Sequence, residues 1–422
     1  MSVVESSSLL IIISKKNTMA KEEVVKTPSV KEQEILLGDL GLTRYHKKIE
    51  KILRKFMDMK EEYYSVISLW IIGTYLHKQF NSYPYLFFNA MKGSGKTRIL
   101  NIVANLSKDG KLNLSVTKAG VFRSKGTYCL DEFEGIGRKG NEDLKELING
   151  AYKKGGTITR YDDVKKTPEG EEFNIYRPVA MANIWGMENV LADRCISLIL
   201  EKSSKKKITR LIENFDNDME FEEIKGGLMR LTENISDELN YFGGVIDEWN
   251  VIARLDVLDV STLKTSKYQD LLRKIHGINI EGRDLELFFP LFIIADICGK
   301  KVFEDVIKFS KKIIDQRRAQ DREDNIDVQI YDFVSQYPTK EFVFVSEFTR
   351  EFKEFVGITD EWLNSRFLGR GLRRLNLVLG EKHTNKRSIR LDLKKAQEKI
   401  KLFVEPEEIK SEFEGVFEDG QK

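Results

Sequence analysis

Residues 90–97 read Ala-Met-Lys-Gly-Ser-Gly-Lys-Thr, after the apolar run Tyr85-Leu86-Phe87-Phe88 and before Arg98-Ile99-Leu100-Asn101-Ile102-Val103, which has helical spacing. Strand, glycine loop and helix in this order can hold a phosphate chain. Backbone N–H groups and the positive end of the helix dipole then converge on one point. Gly93 and Gly95 allow that close approach around Lys92 and Ser94. Lys96 supplies a charge for the β- and γ-phosphates, and Thr97 supplies a hydroxyl for Mg²⁺. Ala90 stands where the usual pattern has its first glycine, a small-for-small exchange. The cofactors implied are ATP and Mg²⁺.

Hydrolysis needs carboxylates near that loop. Gly126-Thr127-Tyr128-Cys129-Leu130-Asp131-Glu132 reads as a buried strand ending in two of them. Beside a phosphate loop, Asp131 can hold Mg²⁺ through water, and Glu132 can polarise the attacking water. Glu134 is a second-ranked carboxylate for the latter task. Tyr176 to Asn183 is another apolar strand with a polar end. Asn183 there is either a contact to the γ-phosphate or its water, or an ordinary strand-end turn residue. Leu191-Ala192-Asp193-Arg194 precedes a fourth strand, Cys195 to Leu198. Arg194 is suited to reach a neighbouring subunit's nucleotide and spread transition-state charge. The plainer alternative is an ion pair with Asp193 or another nearby acid.

The elements that must position these groups follow from periodicity. Residues 1–33 read as a disordered segment, with Met19 an alternative start, and 34–82 as helices. Residues 83–204 alternate strand and helix, the pattern of a mostly parallel sheet. Residues 205–325 are helical, and the charged stretch 317–327 reads as a linker. The block Leu287 to Ile294 is interrupted by Pro290 and followed by Asp296, which makes a core helix and not a membrane span. Residues 326–395 form a small basic unit, and 396–422 an acidic tail.

Composition narrows the classes further. The chain has 422 residues, with 69 Lys and Arg against 67 Asp and Glu, so a nucleic-acid partner must be met by local patches. Three scattered cysteines, Cys129, Cys195 and Cys298, have no metal or disulfide spacing, which fits a reducing cytoplasmic setting. No run is long enough to span a membrane, and none reads as a signal peptide.

The order of phosphate loop, Asp-Glu strand, strand ending in Asn, and Asp-Arg before a strand resembles AAA+ ATPases. It is most similar to the ATPase modules of phage- and plasmid-type replication proteins, related to superfamily 3 and primase-linked helicases. Three further stretches carry the resemblance. They are Trp70 to Tyr75 running into Tyr83 to Leu86, Leu191 to Arg194, and Gly282-Arg283-Asp284 leading to Pro290 to Asp296. The match covers roughly residues 65–300. It implies a P-loop ATPase core with a helical N-terminal extension and a helical lid. It also implies Asn183 as first sensor, Arg194 as finger, Arg283 as second sensor, and a ring of subunits, hexameric in the first instance.

Two places read as DNA contacts. Thr157 to Tyr161 and Glu172 to Ile175 alternate around a turn, giving a hairpin with Lys165 and Lys166 near its tip. In the helicases that the chain resembles, such a hairpin grips DNA in a central channel; the bland alternative is a solvated turn. In the C-terminal unit, Trp362 to Leu375 is amphipathic, with Arg366, Arg370, Arg373 and Arg374 on one face. A hairpin carrying Lys382, Lys386 and Arg387 follows. From Trp362 to Arg390, eight Lys or Arg face one acid, Glu381, a local charge of +7. Two helices, a basic helix and a basic wing look like a winged helix-turn-helix, a module that binds DNA or docks protein.

The function expected is an ATP-dependent DNA helicase or translocase in the replication of a virus, plasmid or integrated element. An ATP-switched initiator or loader is the same-fold alternative, and a DNA-binding regulator with a structural nucleotide site the other. No primase-like cluster is visible; if priming occurs, a separate primase or polymerase does it.

Overall fold

Among the described residues, two α-helices precede the sheet. In α1 (Thr43–Phe56), His46, Ile49, Ile52, Leu53 and Phe56 recur at helical spacing and are buried. Arg54 and Lys55 sit in its last turn, where the helix dipole favours cations. By contrast, α2 (Glu61–Leu76) is buried from Tyr63 to Leu76, as a helix without a polar face must be. The computed structural model describes residues 41–113, 126–131, 142–160, 171–184, 187, 189–215, 218–236, 241–253, 268–339, 341–383 and 387–403.

The centre is a five-stranded, all-parallel sheet in the order β2-β3-β6-β1-β7. Its strands are β1 (Tyr85–Ala90), β2 (Lys111–Asn113), β3 (Tyr128–Leu130), β6 (Val179–Asn183) and β7 (Cys195–Leu200). Their near-continuous apolar sequences follow from covering on both faces, the normal state of parallel sheets. Tertiary hydrogen bonds fix where β1 begins. Trp70 Nε1 donates to the Pro84 carbonyl at 2.7 Å, Tyr83 Oη to the Trp70 carbonyl at 2.6 Å, and Tyr85 Oη to the Ile148 carbonyl at 2.5 Å. Helix α3 (Lys96–Leu106) follows the loop, and α4 (Glu142–Gly150) precedes a separate hairpin. That hairpin pairs β4 (Thr157–Arg160) with β5 (Glu171–Asn174) antiparallel, Ile158 opposite Phe173.

After the short α5 (Asn189–Ala192) and β7, the chain is helical: α6 (Lys206–Thr209), α7 (Met219–Ser236), α8 (Tyr241–Ile252), α9 (Gln269–His276), α10 (Gly282–Cys298) and α11 (Lys300–Asp324). One hydrophobic cluster runs from Leu42 to Ile314, so these helices and the sheet share a core. Pro290 lies inside α10, which continues through it to Cys298. The charged stretch expected as a linker is instead largely the last turns of α11, and the break falls at Asn325, which caps the next helix by accepting from Asp327 N–H.

A second hydrophobic cluster begins at Ile330. It joins α12 (Ile326–Ser335), β8 (Phe342–Phe344), α13 (Val345–Val356), α14 (Ser365–Arg374), β9 (Val378–His383), β10 (Arg387–Leu391) and α15 (Leu393–Ile400). Two features correct the sequence reading. The expected two-stranded wing has a third strand, since β8 pairs with β10. The expected tail from 396 begins inside α15, where Ala396 is buried in this second core and Ile400 is also buried.

Candidate nucleotide site

In parallel sheets, ligands bind beyond the carboxyl ends of the strands. The loop 91–95 lies there, between β1 and α3. Gly93 and Gly95 have φ of 81° and 91°, a region that strains any side chain. A Cβ on Gly95 would also stand 3.1 Å from Met57 Cε. Ser94 folds the turn by donating from its N–H and its hydroxyl to the Met91 carbonyl, at 3.2 and 2.8 Å. Ala90 ends β1 fully buried, so its methyl fills core and does not crowd the loop.

Three predicted groups meet here. Thr97 Oγ1 donates to Asp131 Oδ2 at 2.5 Å, and Lys96 Nζ lies 3.7 Å from Asp131 Oδ1. Asp131 is 6% exposed. Its strand β3 is not next to the loop strand, because β6 runs between them. Asp131 still reaches Thr97, since both leave the sheet at the same edge. Asn183, buried and last in β6, stands opposite Asn89 of β1 at that edge. The donors fit Mg²⁺: a hydroxyl and a carboxylate, hard oxygens beside a phosphate loop, with the remaining ligands left to phosphate and water. No group of three or more metal-ligating side chains occurs among the described residues. Glu132 and Glu134 lie outside the described residues.

Arg194 is at the other end. The Tyr85 N–H donates to the Arg194 carbonyl at 2.9 Å, and Cys195 is paired with Tyr85 at the start of the sheet. The six residues of β1 separate this arginine from its own loop, roughly 20 Å at about 3.3 Å per residue. The residue is half-buried, and its guanidinium donates to the Val190 carbonyl one turn back.

Arg283, which the resemblance implies as second sensor, sits beside the start of β1. Its guanidinium lies 5.2 Å over the Tyr152 ring and is paired with Glu286. Glu286 also binds Lys153 at 3.2 Å, and its carbonyl accepts from Ser82 Oγ at 3.5 Å. These contacts anchor the N-terminus of α10 beside the segment that enters β1, away from the loop.

A cavity of about 700 Å³ adjoins the phosphate loop. One wall is Phe56, Met57 and Asp58, and the other includes Ile208, Thr209 and Glu213. Arg98 stitches them together. It donates to the carbonyls of Phe56 (3.4 Å), Ile208 (3.1 Å) and Leu211 (2.9 Å), and to Glu213 at 2.8 Å. Hydrogen bonds from Lys205 and Ser203 hold the Asp58 carboxyl below its ordinary value. None of these wall residues is predicted by the sequence reading. One signal was available: Arg98 is a cation in the first turn of a helix, where the dipole disfavours it, so it must have tertiary partners.

At the candidate DNA contacts, Arg366, Arg370, Arg373 and Arg374 are exposed on α14, whose Asn364 cap accepts from Arg366 and Phe367 N–H. Arg373 binds Glu381 at 2.7 Å, Arg387 shares Glu381 at 2.8 Å, and Arg374 pairs with Asp327. The sequence reading treats all of these charges as available; the structure occupies three, leaving Arg366 and Arg370 without an acidic partner among the described residues. Lys382 lies 4.1 Å over the Phe342 ring. Lys386, and Lys165 and Lys166 with the rest of the β4–β5 turn, lie outside the described residues.

No helix among the described residues is long and apolar enough to cross a membrane. No family model and no curated protein matches the chain. Among solved structures it is similar to the C-terminal region of NrS-1, at 10% identity over 83% of this chain and 78% of that one, TM-score 0.34. The active helicase Cch of SCCmec type IV matches at 10% identity over 90% and 74%, TM-score 0.35. The Drosophila ORC bound to DNA matches at 13% over 94% and 100%, TM-score 0.19. Scores below 0.5 do not establish a common fold, so function rests on the chain's own geometry.

Proposed function

We propose that this chain is an ATP-dependent DNA helicase or translocase that acts in the replication of a virus, plasmid or integrated element. The observation that carries the reading is the separation of two groups. Lys96, Thr97, Asp131 and Asn183 gather at the carboxyl edge of the sheet, while Arg194 lies at the opposite edge. An arginine that cannot reach its own loop suits hydrolysis at a boundary between subunits, with the loop of one protomer meeting the finger of the next. The reading divides the chain into helices (34–82), an AAA+ core (83–204), a lid (205–325) and a winged helix (326–395).

On this reading the loop N–H groups and Lys96 bind the phosphates of ATP, and the base enters between the Phe56 and Ile208 walls. Thr97 and Asp131 would hold Mg²⁺, which would supply charge screening for the phosphates. Glu132 takes the proton of the attacking water, and Asn183 orients that water. Exposed Arg366 and Arg370 on α14 support duplex anchoring by the C-terminal unit. The test is ATP hydrolysis with and without DNA, paired with strand displacement on forked substrates. Stimulated hydrolysis with displacement supports the motor. Stimulated hydrolysis without displacement makes the protein a loader, and no hydrolysis refutes both.

A further inference from the structure

The turn that carries Arg194 is held from outside the sheet. Arg317, in the last third of α11, donates through Nη2 to the carbonyl of Ala192 at 3.3 Å and to that of Cys195. These two carbonyls flank Asp193-Arg194. The other arm, Nη1, lies 3.4 Å from Asp284 Oδ1 on the first turn of α10. The guanidinium is three-quarters buried, and so is the Asp284 carboxyl. Burial pushes the Asp284 carboxyl above its ordinary value, and Arg317 opposes that rise. A charge held this way at a strand entrance is costly unless its fork is fully used, and here both arms are. The same helix runs on to Asp324, one residue before the Asn325 cap that opens α12 and the C-terminal unit.

We propose that Arg317 is the positioning residue of the Arg194 finger. It fixes the backbone on both sides of Asp193-Arg194, so that the Arg194 guanidinium, on leaving Val190, projects toward a neighbouring subunit in one direction. The inference rests on the subunit-boundary reading above.

The experiment assigns Arg317 to a complementation group. Arg317→Ala protein should bind nucleotide with unchanged Kd, while kcat falls by about 10- to 100-fold, the cost of a misplaced catalytic group. Mixed with Lys96→Ala protein, whose finger is intact, it should regain activity. Mixed with Arg194→Ala protein it should not, and the double variant Arg194→Ala/Arg317→Ala should be no slower than Arg194→Ala alone. Arg317→Lys keeps the charge but loses the fork, and it stands in should the alanine variant fail to fold. Full turnover by the Arg317 variants, or slow turnover that Lys96→Ala protein does not restore, overturns the inference. Full turnover by Arg194→Ala removes the boundary reading itself, a result distinct from slow Arg194→Ala beside fast Arg317→Ala.

Discussion

The backbone N–H of Tyr85 donates to the carbonyl of Arg194 at 2.9 Å, so the arginine lies beside the first residue of the strand whose last residue leads into the phosphate loop. One strand thus separates the phosphate loop from Arg194 at its opposite ends. On the proposed reading, a second copy would supply the arginine that completes the site.

On the proposed reading, Lys96 serves binding and Glu132 serves turnover. Lys96→Ala removes a charge-assisted hydrogen bond to phosphate, worth about 1.5–3 kcal/mol, which weakens nucleotide binding by roughly 10- to 100-fold. Glu132→Gln keeps binding and stops hydrolysis, because an amide takes no proton from water. Titration with a fluorescent nucleotide and phosphate release check both. Normal turnover in Glu132→Gln protein would return that role to another carboxylate.

The base walls depend on Arg98. Its fork ties the Phe56 carbonyl to the Ile208–Glu213 segment, so Arg98→Ala should loosen both walls and leave the loop turn at Ser94 in place. Affinity for ATP should fall, while affinity for inorganic triphosphate, which has no base, should hold. An equal fall for both ligands would place Arg98 with the phosphate loop instead.

On the proposed reading, exposed Arg366 and Arg370 anchor duplex DNA. Arg366→Ala/Arg370→Ala should weaken duplex binding and reduce the salt slope by about 0.9 for each phosphate that is no longer neutralised. Basal ATP hydrolysis should survive, since α14 belongs to the second hydrophobic core. Arg373 and Arg387 share Glu381, so replacing them should cost less in affinity than their number implies. Unchanged affinity and slope in the Arg366/Arg370 variant would make the C-terminal unit a protein-docking module.

Acid weakens the N-terminal helices. Burial lowers both His46 and His77 to about 4, against an ordinary value near 6.5. Both are neutral in the folded chain at pH 7. Below 6.5 the unfolded chain takes up protons that the folded chain refuses, so stability present above 6.5 is lost as pH falls towards 4. Between pH 7 and pH 5 the loss is about 2 kcal/mol for each histidine. Urea denaturation of wild type and His46→Gln/His77→Gln should show a shallower pH dependence in the variant. Parallel curves would contradict it.

What the sequence discloses of the site is its local part. Gly93 and Gly95 mark the loop because only glycine tolerates those dihedrals. The strands before Asp131 and Asn183 are legible because sheet strands covered on both faces are apolar throughout. The surroundings of Arg283 are illegible in the sequence because they depend on Glu286 meeting Lys153 and Ser82, residues more than 130 positions away. The cavity walls were illegible for the same reason: Arg98 joins Phe56 to Leu211 through long-range hydrogen bonds that leave no periodic trace. Charge counting overstated the basic face, since Glu381 and Asp327 engage three of its arginines.

The most direct measurement of the central claim is a mixture of two inactive proteins. Lys96→Ala has an intact finger and a crippled loop, and Arg194→Ala has the reverse. Combined at equal concentration with ATP and DNA, they should hydrolyse ATP well above the sum of the separate preparations, because some boundaries pair an intact loop with an intact finger. A mixture no more active than that sum, or an Arg194→Ala protein that hydrolyses at the wild-type rate alone, would contradict hydrolysis at subunit boundaries.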